Sequence, residues 1–427
     1  MDKIVGFKEE FGIGLEKRDY INTVMKDVAI KFHYSEINIP IIEDARSYSE
    51  EFVGKSPWPE WNEKGCFFFE IKNYKDSYDT GEKQDVVLIP EGTVSVTRWL
   101  ANIIDSKFDC EFPIKLFYSL NCYRNELIST LTENKRREFS QFGVEILGSS
   151  SIQSDAEILY LISTILTRLG VHLGQIRIRL NDIRIFSKLV EESNISIHHS
   201  LKLKELLDEI AEVRAGKHAE TLNDNISRVY DILEEYHLND KLLACWKSIV
   251  EHKGYSLGGI VDVFDDSYKQ YFKLLLDYKM QFEKIGLKID IDPCVIRSHE
   301  YYTGLSFEVD VITANNKYIE IAGGGRYDRL VGRFLNIKSS RTIHCTGFAF
   351  GTERVLGLMN DLNCFEKNIS FSKQYFFNTR VTELILPESS VESYILAVTK
   401  NNKFPVNVVF KEDKLEKQNS NKEKGMV

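Results

Sequence analysis

Apolar residues recur at helical spacing over 15–35, and from Tyr34 to Glu43 they give way to alternating apolar and polar side chains interrupted by Pro40. The first pattern predicts a helix and the second a half-buried strand, whose proline marks an edge, a strand end or a subunit contact. Further strands are predicted over 86–89, 115–120, 142–147, 176–180, 305–311, 318–321 and 347–350, several with β-branched or aromatic residues at alternate positions. Together they predict an antiparallel sheet. Between 185 and 286 the period changes: 201–215, 220–236 and 268–284 are long, charged and helical in spacing. Strand character resumes at 288–291 and ends in a helix starting near Glu353, so a helical insertion interrupts the sheet in sequence without ending it. A strand over 381–386, a helix over 390–400 and a strand over 406–410 form a small α/β unit. The fold class is therefore α+β. The expected divisions are a first sheet-bearing part at 1–184, a helical insertion at 185–286, a second sheet-bearing part at 287–364 and the terminal unit at 376–427.

The 427 residues, 43% hydrophobic and 28% charged, suffice for two or three domains with a sizeable core. The formal net charge of −9 repels polyanions overall, so any nucleic-acid contact has to be local. No apolar run reaches the ~18 residues of a membrane span, and the first ten residues lack a signal-peptide core, so a soluble, cytoplasmic protein without membrane contact is expected. The seven cysteines are scattered without a CxxC pair, which disfavours both a disulfide framework and a zinc site, and no protein metal site is expected. Residues 411–427 carry five lysines, four acids and no aromatic residue, so the last unit reads as cut short.

The densest polar constellation runs from Cys122-Tyr123-Arg124-Asn125-Glu126 to Arg137-Glu138-Phe139-Ser140-Gln141-Phe142-Gly143-Val144-Glu145. As a hairpin it places Arg124 where the loop begins, Lys135, Arg136 and Arg137 on the loop's return, and Gln141 and Glu145 on one strand face. Guanidinium groups there can fork onto phosphate, although an ordinary hairpin with a solvated basic turn fits equally well. In Ile89-Pro90-Glu91-Gly92-Thr93, Thr93 suits a helix N-cap and Gly92 a turn, while a carboxylate such as Glu91 is ordinary near a helix start. Arg297 precedes Tyr301-Tyr302-Thr303-Gly304, and Gly323-Gly324-Gly325-Arg326-Tyr327-Asp328 follows; the three glycines read as a turn more readily than as a phosphate cradle. His299 has no visible Asp or Cys partner and reads as an ordinary hydrogen-bonding histidine. In Gly347–Val355, Arg354 falls in the first turn of a helix, where it opposes the dipole and calls for an anionic partner.

The order of these pieces resembles the class II aminoacyl-tRNA synthetases, and among them the histidyl-tRNA synthetases. The strand at 36–43 is similar to motif 1, Cys122–Glu145 to motif 2, and Gly347–Val355 to motif 3. Arg297 with Tyr301–Gly304, and Gly324–Asp328, are similar to the family's two histidine signatures. The resemblance implies a class II antiparallel sheet flanked by helices, a homodimer joined through motif 1, and histidine, ATP with Mg²⁺ and tRNA as reaction partners. It implies Glu91 and Thr93 at the α-ammonium, Gln141 and Glu145 in the amino-acid pocket, and Tyr301, Tyr302 and Tyr327 around the imidazole. It implies Arg124 at the α-phosphate, Arg354 at the γ-phosphate, and Arg297 where a cation serves elsewhere. Glu126, Lys135 and Arg137 complete the implied ATP-binding set, with Arg124, Arg297 and Arg354 the catalytic groups. The sequence departs from the pattern at Asn134-Lys135, at Ile89 and at Ser298-His299-Glu300, and its terminal unit resembles only the first half of an anticodon-binding domain. The alternatives are a synthetase-like regulatory subunit of ATP phosphoribosyltransferase and a paralogue that activates an amino acid for another acceptor. Glu91 and Glu353-Arg354, which the regulators typically lose, stand here.

Overall fold

The computed structural model describes residues 3–55, 64–77, 80–107, 111–216, 221–252, 260–297, 301–313, 318–336, 342–367, 382–386 and 406–410. The chain divides into two compact units, Met1–Leu362 and Asn363–Val427.

The first unit begins with helix α1 (Ile13–Lys31), which buries Tyr20, Ile21, Met25, Val28 and Ala29. The single strand expected over 36–43 is split into β1 (Ser35–Glu36) and β2 (Ile42–Asp44). The backbone shows why. Ile37 N–H still donates to Phe117 of the main sheet at 2.9 Å, whereas the Ile41 carbonyl accepts from Ile89 N–H at 2.9 Å in a second sheet. Pro40, without an N–H, lies where the chain changes partners.

After helix α2 (Glu50–Val53), β3 (Phe67–Asn73) and β4 (Glu82–Leu88) join β2 in an antiparallel sheet of order β2-β4-β3. The strand predicted at 86–89 therefore belongs to this smaller sheet. Helix α3 (Thr93–Asp105) leads to the hairpin β5 (Ile114–Tyr123) and β6 (Glu138–Leu147), then helix α4 (Ile152–Arg168) and β7 (Ile176–Asp182). The helical block holds α5 (Ile183–Glu192), α6 (Ile197–Arg214), α7 (Leu222–Glu234), α8 (Asp240–Val250) and α9 (Asp266–Glu283). Of these, α5 and α8 were not predicted as separate helices. The unit closes with β8 (Lys288–Ile291), β9 (Leu305–Ile312), β10 (Tyr318–Arg326), α10 (Leu330–Phe334), β11 (Cys345–Gly351) and α11 (Thr352–Asp361).

The main sheet has the order β1-β5-β6-β11-β10-β9-β7-β8, antiparallel within and parallel at its two outer pairs, β1-β5 and β7-β8. Gly323–Gly325 do not form a turn; they lie in β10 between β9 and β11. Glycine is required at Gly324 because a Cβ would overlap the Gly347 carbonyl and the Phe307 ring. The alternating pattern of β7 suggests one solvated face, yet every residue of it is buried, Arg177 and Arg179 included. Arg179 donates to the Ala211 carbonyl of α6 at 3.2 Å, so the helical block covers that face of the sheet.

The second unit contains α12 (Cys364–Lys367) and the parallel pair β12 (Thr382–Leu386) and β13 (Val406–Phe410). The helix expected at 390–400, the tail at 411–427, His299 and Cys110 lie outside the described residues. Six described cysteines are buried and form no disulfide. Among the described residues no helix is long and apolar enough to cross a membrane.

Candidate active site

The chain reaches the sheet surface at Glu91, just before α3. Its buried carboxylate accepts from the N–H groups of Thr93 and Val94, each at 2.9 Å, satisfying donors that the first helical turn leaves open. Thr93 is thus not the N-cap, as its side chain suggested: Gly92 occupies that position and the Glu91 side chain supplies the acceptor. Thr93 is released to donate its hydroxyl to Glu145 Oε1 at 2.8 Å, while Gly92 N–H donates to Gln141 Oε1 at 2.8 Å.

Gln141 and Glu145 lie four residues apart on β6 and share a face, as strand alternation requires. Tyr327 donates its hydroxyl to Glu145 Oε2 at 2.5 Å. Gly347 is opposite Glu145 in the β6-β11 register, and a Cβ there would overlap the carboxylate. Burial pushes the Glu145 carboxyl up from 4.5 to about 8, against the pull of the Tyr327 and Thr93 hydroxyls. Burial also raises Glu91, despite its two N–H donors. The Tyr301 ring stands 5.0 Å from Tyr302 and 6.0 Å from Tyr327, centre to centre, forming an aromatic wall beside these carboxylates.

Three guanidinium groups from distant parts of the chain line the same cavity of about 470 Å³, together with Glu91, Thr93, Gln141, Glu145 and the three tyrosines. Arg124, following β5, donates from Nε to the Pro90 carbonyl at 3.0 Å and lies 5.2 Å over the Phe139 ring. Arg297, following β8, pairs with Glu308 at 2.9 Å and Glu320 at 3.3 Å. Its buried Nε has no hydrogen-bond partner among the described residues. Arg354, in the first turn of α11, lies 3.8 Å from Glu320, which is the anionic partner its place on the helix called for. Glu353 turns inward and accepts from Ser140 N–H at 2.9 Å, tying α11 to β6.

Arg297 is fixed from behind by a ladder of alternating charge. Arg177 pairs with Asp310 at 2.8 Å, Asp310 with Arg179 at 2.7 Å, Arg179 with Glu308 at 2.5 Å, and Glu308 with Arg297. Burial alone would lower the Arg297 pKa, but the adjacent Glu308 and Glu320 carboxylates raise it, so the group is a permanent cation.

In the loop between β5 and β6, Lys135 and Glu126 reach the cavity and pair at 3.0 Å. Arg137 does not. It donates from Nε to the Glu126 carbonyl at 3.1 Å and packs against Gly6, and the neighbouring Arg136 lines the cavity in its place. Sequence reasoning also missed Glu308, Glu320 and an acidic stripe on α6, Glu205, Asp208, Glu209 and Glu212, all on the cavity wall. The stripe's spacing is visible in the sequence, but nothing there says which way it faces. No group of three His, Cys, Asp or Glu side chains suited to a metal ion occurs among the described residues.

The cavity brings guanidinium groups that can meet a polyphosphate, interleaved with acidic side chains, beside buried carboxylates and tyrosines suited to a small cation. On an antiparallel sheet flanked by helices, this places the molecule among the class II aminoacyl-tRNA synthetases. A family model described as histidyl-tRNA synthetase matches residues 74–355. Histidine–tRNA ligases of Saccharolobus islandicus are 30% identical over 368 residues, covering 84% of this chain and 76% of theirs; that of Saccharolobus shibatae is 29% identical over the same length. Among solved structures, an ATP phosphoribosyltransferase regulatory subunit/histidyl-tRNA synthetase from Bacillus halodurans superposes with a TM-score of 0.69 at 19% identity, covering 96% of this chain and 93% of that one. A histidyl-tRNA synthetase from a Nostoc species superposes with a TM-score of 0.68 at 16% identity, covering 99% of this chain and 89% of that one. The chain belongs to the histidyl-tRNA synthetase family.

Proposed function

We propose that this aminoacyl-tRNA ligase activates histidine with ATP to histidyl-adenylate and then transfers the histidyl group to tRNA(His). The observation that carries the reading is the convergence of Arg124, Arg297 and Arg354 on one cavity with Glu91, Thr93, Gln141 and Glu145. A histidine carboxylate oxygen forms a bond to the α-phosphorus while the bond to the bridging oxygen breaks and pyrophosphate leaves. No protein nucleophile is required. Charge collects on phosphoryl oxygens, where fixed guanidinium groups stabilise it. Arg124 and Arg297 serve the α-phosphate, Arg354 the γ-phosphate, and Lys135 and Glu126 the nucleotide. Mg²⁺ would enter with the nucleotide as part of the substrate and neutralise some of its charge. Glu91 and Thr93 take the α-ammonium, and Gln141, Glu145 and the tyrosine wall take the imidazole.

The catalytic body comprises 1–184 and 287–364, with 185–286 inserted and 376–427 an anticodon-binding-like unit. A homodimer in which the smaller sheet takes part accords with the exposure of Ile41, Ile42, Phe68 and Phe69 on and beside it. The regulatory-subunit alternative predicts an inert phosphate site, whereas Glu91 and Glu353 are both buried and bonded into the site's frame.

Purified protein is expected to exchange pyrophosphate into ATP in the presence of histidine and of no other standard amino acid, and to charge total tRNA with histidine. Absence of exchange in folded protein would reject activation; exchange without charging would point to another acceptor.

A pH signature accompanies binding. With its pKa near 8, Glu145 is mostly protonated at pH 7 in the empty protein. At pH 7 the carboxyl can hand its proton to the neutral imidazole, so histidine binding is expected to exchange little net proton with solvent; above pH 8, where the carboxyl is already ionised, an imidazolium at its oxygens is expected to draw a proton from solvent, roughly one per site. Calorimetry in buffers of different ionisation enthalpy measures it, and Glu145→Gln is expected to abolish this uptake above pH 8. The same shift acts on folding: the unfolded carboxyl titrates near 4.5, so this group's contribution is complete below that pH and is lost as pH rises through about 8.

A further inference from the structure

Glu320 lies between the two arginines assigned to opposite ends of the triphosphate, and its carboxylate reaches both, Arg297 at 3.3 Å and Arg354 at 3.8 Å. We infer that Glu320 is an internal counter-anion that holds these two guanidinium groups in the empty site and is displaced by the phosphates of ATP, setting nucleotide affinity. The inference rests on the reading of the cavity as an ATP site.

The two carboxylates on Arg297 differ in kind. Glu308 is deeply buried, closer, and tied on its other side to Arg179, so it is part of the frame. Glu320 sits at the cavity surface with its side chain 17% exposed, and its second partner, Arg354, is 43% exposed. At its Arg354 end the pair is open to water and 3.8 Å long, so that contact is weak and can be exchanged for a better anion. The backbone is also irregular at this point. β10 and β9 pair in register from Tyr318↔Ile312 to Glu320↔Asp310, then slip, so that Ala322 faces Val309 and Ile321 is left without a partner. Such a bulge re-aims neighbouring side chains, and both Glu320 and Ile321 reach the cavity. Glu212 on α6 adds negative charge across the same space, while burial and the nearby Glu308 and Glu212 carboxylates raise the Asp208 carboxyl and favour its neutral form. A polyphosphate entering there meets arginines that are already neutralised, and it binds only by replacing a carboxylate that is already present.

The test compares full-length wild type with Glu320→Gln, and with Glu320→Ala as a second variant, using ATP binding by calorimetry and the KM values of pyrophosphate exchange. Removing one partly exposed competing charge is expected to tighten ATP binding about fivefold. The KM for ATP should fall with it and the KM for histidine stay put, while in an Arg354→Ala background the gain should shrink. Unchanged or weaker ATP binding by folded Glu320→Gln would overturn the inference and make Glu320 a support for the arginines. A wild type that binds ATP without exchanging pyrophosphate defeats the ligase reading and leaves the affinity comparison decisive. A wild type that binds no ATP overturns both.

Discussion

Arg297→Ala is expected to lower histidine-dependent pyrophosphate exchange by about 10²- to 10³-fold, the loss typical of removing one fixed charge-stabilising group from a transition state. The effect should fall mainly on kcat, because in the proposed reaction the charge that Arg297 meets grows as the carboxylate attacks the α-phosphorus. Substitution also leaves Glu308 and Glu320 facing each other without the cation between them. Arg297→Lys separates the two causes: it keeps the charge but loses the planar fork, and should recover folding while recovering only part of the rate. Exchange within a few-fold of wild type in folded Arg297→Ala would remove the central element of the proposed function.

A second large effect is expected one side chain behind the cavity wall. Arg179 is fully buried and joins Glu308 and Asp310, so Arg179→Met should destabilise the fold by about 3–5 kcal/mol, the usual loss when one member of a buried ion network is removed. Urea unfolding measures it. Methionine fills much of the volume, so the loss is chiefly that of a cation from between two carboxylates with little surrounding water. Because Glu308 would lose its inner anchor, the residual protein should also show a raised KM for ATP. A stability within 1 kcal/mol of wild type would mean that Arg177 alone satisfies Asp310 and that Glu308 needs no inner partner.

Much of this was legible in the sequence. Strand alternation put Gln141 and Glu145 on one face, and the order of the motifs anticipated a cavity shared by Arg124, Arg297 and Arg354. Three features escaped for physical reasons. Pro40 breaks a strand pattern that looks continuous, because the chain passes there from one sheet to another and periodicity carries no information about partners. Gly323–Gly325 carry the composition of a turn, but their small size serves close approach between strands. Arg177, Arg179 and Asp310 alternate with apolar residues as a solvated face would, and only the covering helices make them interior. Arg137 illustrates the limit at single-residue scale: three consecutive basic residues share a loop, Lys135 pairs within it to Glu126, and the directions of Arg136 and Arg137 go with contacts to Glu10 and Gly6 of the N-terminal segment that no local pattern reveals.

Strands β7 and β8 are hydrogen-bonded parallel neighbours, and everything from α5 to α9 lies between them in sequence. Parallel neighbours need a crossover connection of at least a dozen or so residues, usually a helix, so the block is an enlarged version of a link the topology demands in any case. Helix α9 alone packs on both strands and would satisfy that demand. A shortened chain retaining α9 could therefore keep the sheet closed, but it would lose the acidic stripe of α6 from the cavity and the Ala211 carbonyl from Arg179. The cavity has one wall on loan from an elaborated loop.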